Sequence, residues 1–91
     1  MNDALEALRA RFRERARADA DKISRAIYDG DYEVLEQVVH GLAGAAGLFG
    51  YPALSEYALA IDAEFEAGNK PSDEALNRLV EIIRAESDLY S

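Results

Sequence analysis

Apolar residues recur every three to four positions in four separate segments of this chain. That period is helical; none of the segments alternates as a half-buried strand would. The first runs from about Asp3 to Tyr28, with Leu5, Leu8, Phe12, Ala16, Ile23 and Ile27 close to a 3.6-residue stripe. The stripe thins at Ala18-Asp19-Ala20-Asp21, where the helix could be kinked or split. Asp29-Gly30 ends it, because glycine readily takes the left-handed conformation that closes a helix. Asp31 then suits the N-cap of a second helix reaching about Phe49, and Gly50 stops that one. Pro52 opens a third helix at a position where its missing N–H costs nothing. Leu54, Ala58, Ile61 and Phe65 form its stripe, and Gly68-Asn69 closes it. Ser72 caps the fourth, Asp73 and Glu74 complement its dipole, and Leu76, Leu79, Val80, Ile83 and Tyr90 mark its buried side.

The expected helices therefore span about 3–28, 32–49, 52–67 and 73–90 of one domain covering residues 1–91. The connections are short, which makes successive helices antiparallel. The fold expected is all-α, an antiparallel up-down-up-down four-helix bundle. Composition agrees with a packed soluble domain: 49% of residues are hydrophobic and 31% charged. There is no cysteine, which removes disulfides and thiolate metal sites. No apolar run approaches the roughly 20 residues that span a bilayer, and MNDALEALRARF lacks the apolar segment of a signal peptide. The expected location is the cytoplasm, without membrane attachment.

Charge adds one asymmetry. The net charge is −8, yet residues 1–17 carry five arginines against Asp3, Glu6 and Glu14. An acidic chain makes a poor nucleic-acid binder, because phosphate contacts need clustered cations. Arg9, Arg13 and Arg17 repeat at i, i+4 with Glu6 and Glu14 as partners, which reads as a solvated helix face. An anchor for an anionic partner is the competing use of the same arginines.

The remaining oddity is HGLAGAAGLFG, residues 40–50, which holds the single histidine and four of the six glycines within a helical segment. Glycine costs a helix about 1 kcal/mol relative to alanine. On a wheel of about 100° per residue, Leu35, Val38, Leu42 and Phe49 lie opposite His40, with Ala45 and Ala46 just outside them. His40 thus points away from the core, flanked by Glu33, Glu36, Gln37, Ala43, Gly44 and Gly47. Glycines on that outer face leave a bare helix surface beside an imidazole, open to another protein's backbone or a bulky anion.

An imidazole of ordinary pKa, about 6.5, is mostly neutral at neutral pH and has one nucleophilic nitrogen. Such a nitrogen can attack phosphorus and hold a phosphoryl group as a phosphoramidate. Gln37 and Glu36, one turn earlier, are placed to bond or steer the ring. A metal site would need further ligands, with neither a second histidine nor a cysteine present. No serine sits in a nucleophile elbow, and no Gly-rich loop follows a strand to hold a nucleotide. The chain could carry a phosphoryl group but not take one from ATP.

HGLAGAAGLFG, the preceding GDYEVLEQVVH and the following LSEYALAID resemble histidine-containing phosphotransfer (HPt) domains of bacterial phosphorelays. The resemblance covers most of residues 28–67, and the variant is similar to members reading LAGAAG. It implies that His40 is the phosphoacceptor, that Gly44 leaves room for the phosphoryl group and receiver, and that Leu42 is buried between them. Ala43 stands where many such domains have a lysine, so the phosphoryl charge lacks that cation. Mirroring the first hairpin brings Lys22, or Arg25, level with His40 as a substitute. Mirroring the second brings Asp62 level with it, as a neighbour whose charge would oppose that of phosphohistidine.

The resemblance further implies phosphotransfer between receiver-domain aspartates of a two-component system, with a hybrid histidine kinase as a further partner. The domain would have no autonomous kinase activity and no cofactor of its own, Mg²⁺ being held by the receiver. Gly44, Gln37, Ala43 and Gly47 would support the histidine. Docking would centre on Glu36, Gln37, Ala43, Gly44, Gly47 and Leu48, with a monomer as the default state. The alternative is a receiver- or kinase-binding module that is never phosphorylated, which the missing lysine at Ala43 favours.

Overall fold

The computed structural model describes residues 3–89, with side chains over residues 4–87. Four helices follow in order: α1 (Asp3–Asp29), α2 (Tyr32–Leu48), α3 (Pro52–Glu66) and α4 (Asp73–Leu89). There is no strand among the described residues. Tyr90, expected on the buried side of α4, lies outside them.

Local chemistry sets each boundary. The Asp31 carboxylate accepts from the Val34 N–H at 3.2 Å, and the Ser72 hydroxyl accepts from the Ala75 N–H at 3.1 Å. Each satisfies a donor left orphaned at a helix start. Pro52 begins α3 directly after Tyr51. At the end of α1, Gly30 takes φ +68° and its N–H donates to Ile27 O, while the Asp31 N–H donates to Ala26 O. Gly50 repeats the device at φ +83°, with Gly50 and Tyr51 donating to Gly47 and Ala46. These paired bonds cap the last carbonyls while reversing the chain, and they need a residue tolerant of the left-handed region. The turns are therefore tight, and α1 packs on α2 and α4 while α3 packs on α2 and α4. This is the antiparallel bundle with each helix against two neighbours.

The core is drawn from all four helices, with Ile23, Leu35, Leu42, Leu54, Leu76, Leu79 and Ile83 almost fully hidden. Small residues (Ala16, Ala20, Ala46, Ala58) are buried among them. Tyr51, in the α2–α3 turn, is also buried. Its ring centroid lies 5.2 Å from that of Phe12, and its hydroxyl accepts from Arg13 at 3.2 Å. A tyrosine in a turn carries no periodic signal, so its burial was not legible in the pattern.

Two expectations need correction, and the open question of a break in α1 is answered. Leu5 and Leu8 are each 46% exposed rather than core. At 27 residues, α1 is about 40 Å long against about 25 Å for α2, so its first turns overhang the hairpin. The helix is continuous through Ala18–Asp21, with Asp19 and Ala20 both buried. On α2 the buried arc includes Val39, Leu42, Ala43 and Ala46, while Val38 and Phe49 are only partly buried. Packing on α3 rolls the arc by roughly 50° from the pole set by composition, which carries Ala43 inward. No helix among the described residues is long and apolar enough to cross a membrane.

Buried polar residues are few. Ser87 sits under the guanidinium of Arg17, which donates to its backbone carbonyl at 3.0 Å. Asp19 has one carboxylate oxygen, Oδ2, buried without a hydrogen bond, facing Arg15 Nε at 3.6 Å. Burial pushes the Asp19 carboxyl above its ordinary value, with Arg15 and Lys22 pulling the other way. The folded chain therefore binds this proton at higher pH than the unfolded chain does. Ionised Asp19 opposes folding above the raised value, and that cost is relieved as pH falls through it.

Two outcomes follow. Leu54→Ala should lower unfolding free energy by about 2–5 kcal/mol, whereas Leu48→Ala, at a 77% exposed position, should change it by no more than about 0.5 kcal/mol; urea unfolding followed by circular dichroism separates the two. Asp19→Asn should raise the urea midpoint at neutral pH, and its advantage should shrink as pH falls into the ordinary carboxylate range. An Asn variant weaker than the parent at neutral pH would contradict the cost assigned to the buried charge.

Candidate functional site

α2 presents one exposed face, and His40 is on it with its side chain 71% exposed. The ring is nevertheless held. Its Nδ1 lies 3.1 Å from Oδ2 and 3.3 Å from Oδ1 of Asp62 on α3. The Asp62 side chain is only 10% exposed, fixed where α3 packs against α2. A carboxylate can only accept, so the proton on the bonded nitrogen belongs to Nδ1. Nε2 is left as the unprotonated nitrogen of the neutral ring, carrying the lone pair. One contact thus fixes ring orientation and tautomer, the role a carboxylate plays behind a working imidazole.

The level of Asp62 with His40 was readable from the hairpin. In the unloaded ring that charge meets the N–H of Nδ1, where it is favourable. Gln37 and Glu36, expected to steer the ring, are exposed and make no hydrogen bond to it. Glu66, one turn past Asp62, was not singled out in the sequence. Donor atoms of His40, Asp62 and Glu66 lie within 4.8 Å of one another, a set able to hold a cation. Carboxylates from α3 therefore supply ligands that a search for histidine and cysteine misses, although Nδ1 is already engaged by Asp62.

The glycines around the histidine differ in what they do. A Cβ at Gly44 would meet nothing within 4 Å, so no contact within the domain requires glycine there. A Cβ at Gly47 would stand 3.1 Å from the Ser55 hydroxyl, so this glycine, exposed as it is, also lets α3 come close. Gly41 was not explained by the helix wheel: a Cβ there would stand 2.9 Å from Nη2 of Arg15 on α1. Ala43, expected on the docking face, is 3% exposed and belongs to the core for the packing reason given above. Leu48 is 77% exposed, and Leu59, one turn before Asp62 on α3, is 52% exposed. These two apolar side chains lie on the helices that carry the His40–Asp62 pair.

The cations proposed from the hairpin register face elsewhere. Lys22 and Arg25 line a shallow groove of about 350 Å³ with Asp21, Asp29, Asp31 and Val34, at the turn between α1 and α2. Arg25 is paired with Asp29 at 3.2 Å.

An exposed, tautomer-fixed imidazole on a helix wall, with open space one turn beyond it, is arranged to meet an electrophile on another molecule. No curated protein and no solved structure matches the chain significantly. The family model described as the Hpt domain matches residues 7–88, from the second turn of α1 nearly to the end of α4. Hpt domains are phosphocarriers in phosphorelays, working with receivers and kinases without being kinases themselves. A helical bundle matched over nearly its whole length, with its histidine on the outer wall, is a member of that family: this chain belongs to the Hpt domain family.

Proposed function

We propose that this chain is a phosphorelay intermediate of the LAGAAG type, working in the cytoplasm as a monomer, with His40 as its phosphoacceptor. The Nε2 lone pair attacks the phosphorus of a receiver's aspartyl phosphate. The Nε2–P bond forms as the acyl P–O bond breaks, and the receiver's carboxylate leaves. The Nδ1 proton stays in place, so the phosphorylated ring is cationic and rests against the Asp62 carboxylate. Onward transfer to a second receiver reverses these bonds. Any Mg²⁺ is held on the receiver.

The observation carrying this reading is the pairing of an exposed ring with a buried carboxylate partner. Preorganised charge beside the group that becomes cationic needs no rearrangement during transfer. Docking uses Gln37, Gly44, Gly47 and Leu48, with Glu36 at the edge, and extends onto α3 at Leu59. Exposed apolar side chains on the two helices that carry the reactive group suit a transient protein partner.

Two outcomes test it. A phosphorylated receiver mixed with the domain should pass label to the wild type and not to His40→Gln. Equal labelling of both removes His40 from the chemistry, and binding without labelling of either points to a non-phosphorylated interaction module. In nitrogen-15 spectra of the neutral ring, wild-type His40 should show Nδ1 protonated and Nε2 bare. Asp62→Leu should lose that single tautomer and slow transfer by about tenfold, within the range for carboxylates that orient an imidazole. An unchanged tautomer in the variant would remove Asp62 from the mechanism.

A further inference from the structure

We infer that Arg15 of α1 is the cation that receives the phosphoryl group on His40, and that Gly41 is a glycine to let it reach. This rests on His40 being the phosphoacceptor.

The surroundings of the ring are acidic. Asp62 and Glu66 approach it from α3, and Glu36 and Glu33 lie one and two turns back on α2. A phosphoryl group bearing two negative charges would therefore enter an unfavourable field, and in a chain of net charge −8 nothing distant relieves it. Asp62 is matched by the ring's own charge, which leaves the phosphoryl oxygens to be met from elsewhere. The residue following the histidine is Gly41, and Arg15 Nη2 lies 2.9 Å from where a Cβ there would stand. The guanidinium thus lies against the wall of α2 at the residue that follows His40, about 100° around the helix from it.

Arg15 is set there by Asp19, one turn along α1, through the 3.6 Å contact at Nε. The contact is loose and leaves the guanidinium's terminal N–H groups free for other acceptors. The Arg15 side chain is 53% exposed, while Asp19 is buried beneath it. A buried anchor under an exposed fork is a geometry in which a small swing brings planar donors onto phosphate oxygens. It also gives a use for the buried Asp19 charge, which opposes folding.

The test uses the full chain loaded by potassium phosphoramidate, so that no receiver contact is involved. Loading at His40 should be about three- to fivefold slower in Arg15→Gln, as for loss of one partly exposed charge contact. Arg15→Lys should recover part of the rate, and the phosphorus-31 shift of the phosphohistidine should move in Arg15→Gln. Gly41→Ala keeps every charge and improves helix propensity, so it should melt no lower than the wild type while loading about twofold more slowly. Loading and shift unchanged in Arg15→Gln would overturn the role of Arg15 and leave His40 as acceptor. Wild-type protein that takes no phosphoryl group at His40 would overturn both.

Discussion

The hydrogen bond between His40 Nδ1 and Asp62 is the constraint on which the rest of this structure turns. It joins a side chain that must stay in water to one that must leave it, across the seam between α2 and α3. An exposed imidazole alone would rotate and exchange tautomers. Tied at Nδ1, it presents Nε2 outward with its lone pair available. The carboxylate can do this because the bundle has already desolvated and fixed it, and the tight turn at Gly50 and Tyr51 keeps the two helices in register.

Under the proposed function, the same bond explains why an acidic residue is tolerated where a negatively charged group would be attached. Phosphorylation at Nε2 with Nδ1 protonated makes the ring a cation, so Asp62 faces positive charge in the loaded state. On the proposed chemistry the dianionic phosphoryl oxygens would sit on the far side of the ring, towards the bare wall at Gly44 and the α1 edge carrying Arg15. Partition of charge across one ring would let a domain of net charge −8 carry yet more negative charge. In that reading the bundle offers a nucleophile and a surface, and the phosphoryl group comes and goes on other proteins.

Much of this was legible in the sequence because the signals were local. Asp31, Ser72 and Pro52 mark helix starts through chemistry confined to one turn, and Gly30 and Gly50 mark reversals through backbone conformation alone. The outward direction of His40 followed from the wheel. What the wheel could not give was the roll of α2 against α3, which depends on two packed surfaces and places Ala43 inside. Nor could it show Tyr51 buried from a turn, or Asp19 buried despite its charge. The overhang of α1, which exposes Leu5 and Leu8, depends on comparing helix lengths in space rather than on either stripe. Arg15 was one of five arginines counted in residues 1–17, and only its place beside Gly41 and over buried Asp19 sets it apart.

Which ring nitrogen bears the phosphoryl group discriminates most sharply. Long-range proton–nitrogen correlation on nitrogen-15-labelled protein, loaded by a phosphorylated receiver, identifies it directly. Phosphorus on Nε2 of His40, with Nδ1 still protonated, is the expected result. Phosphorus on Nδ1, the atom bonded to Asp62, or none on His40 at all, would contradict the proposed chemistry.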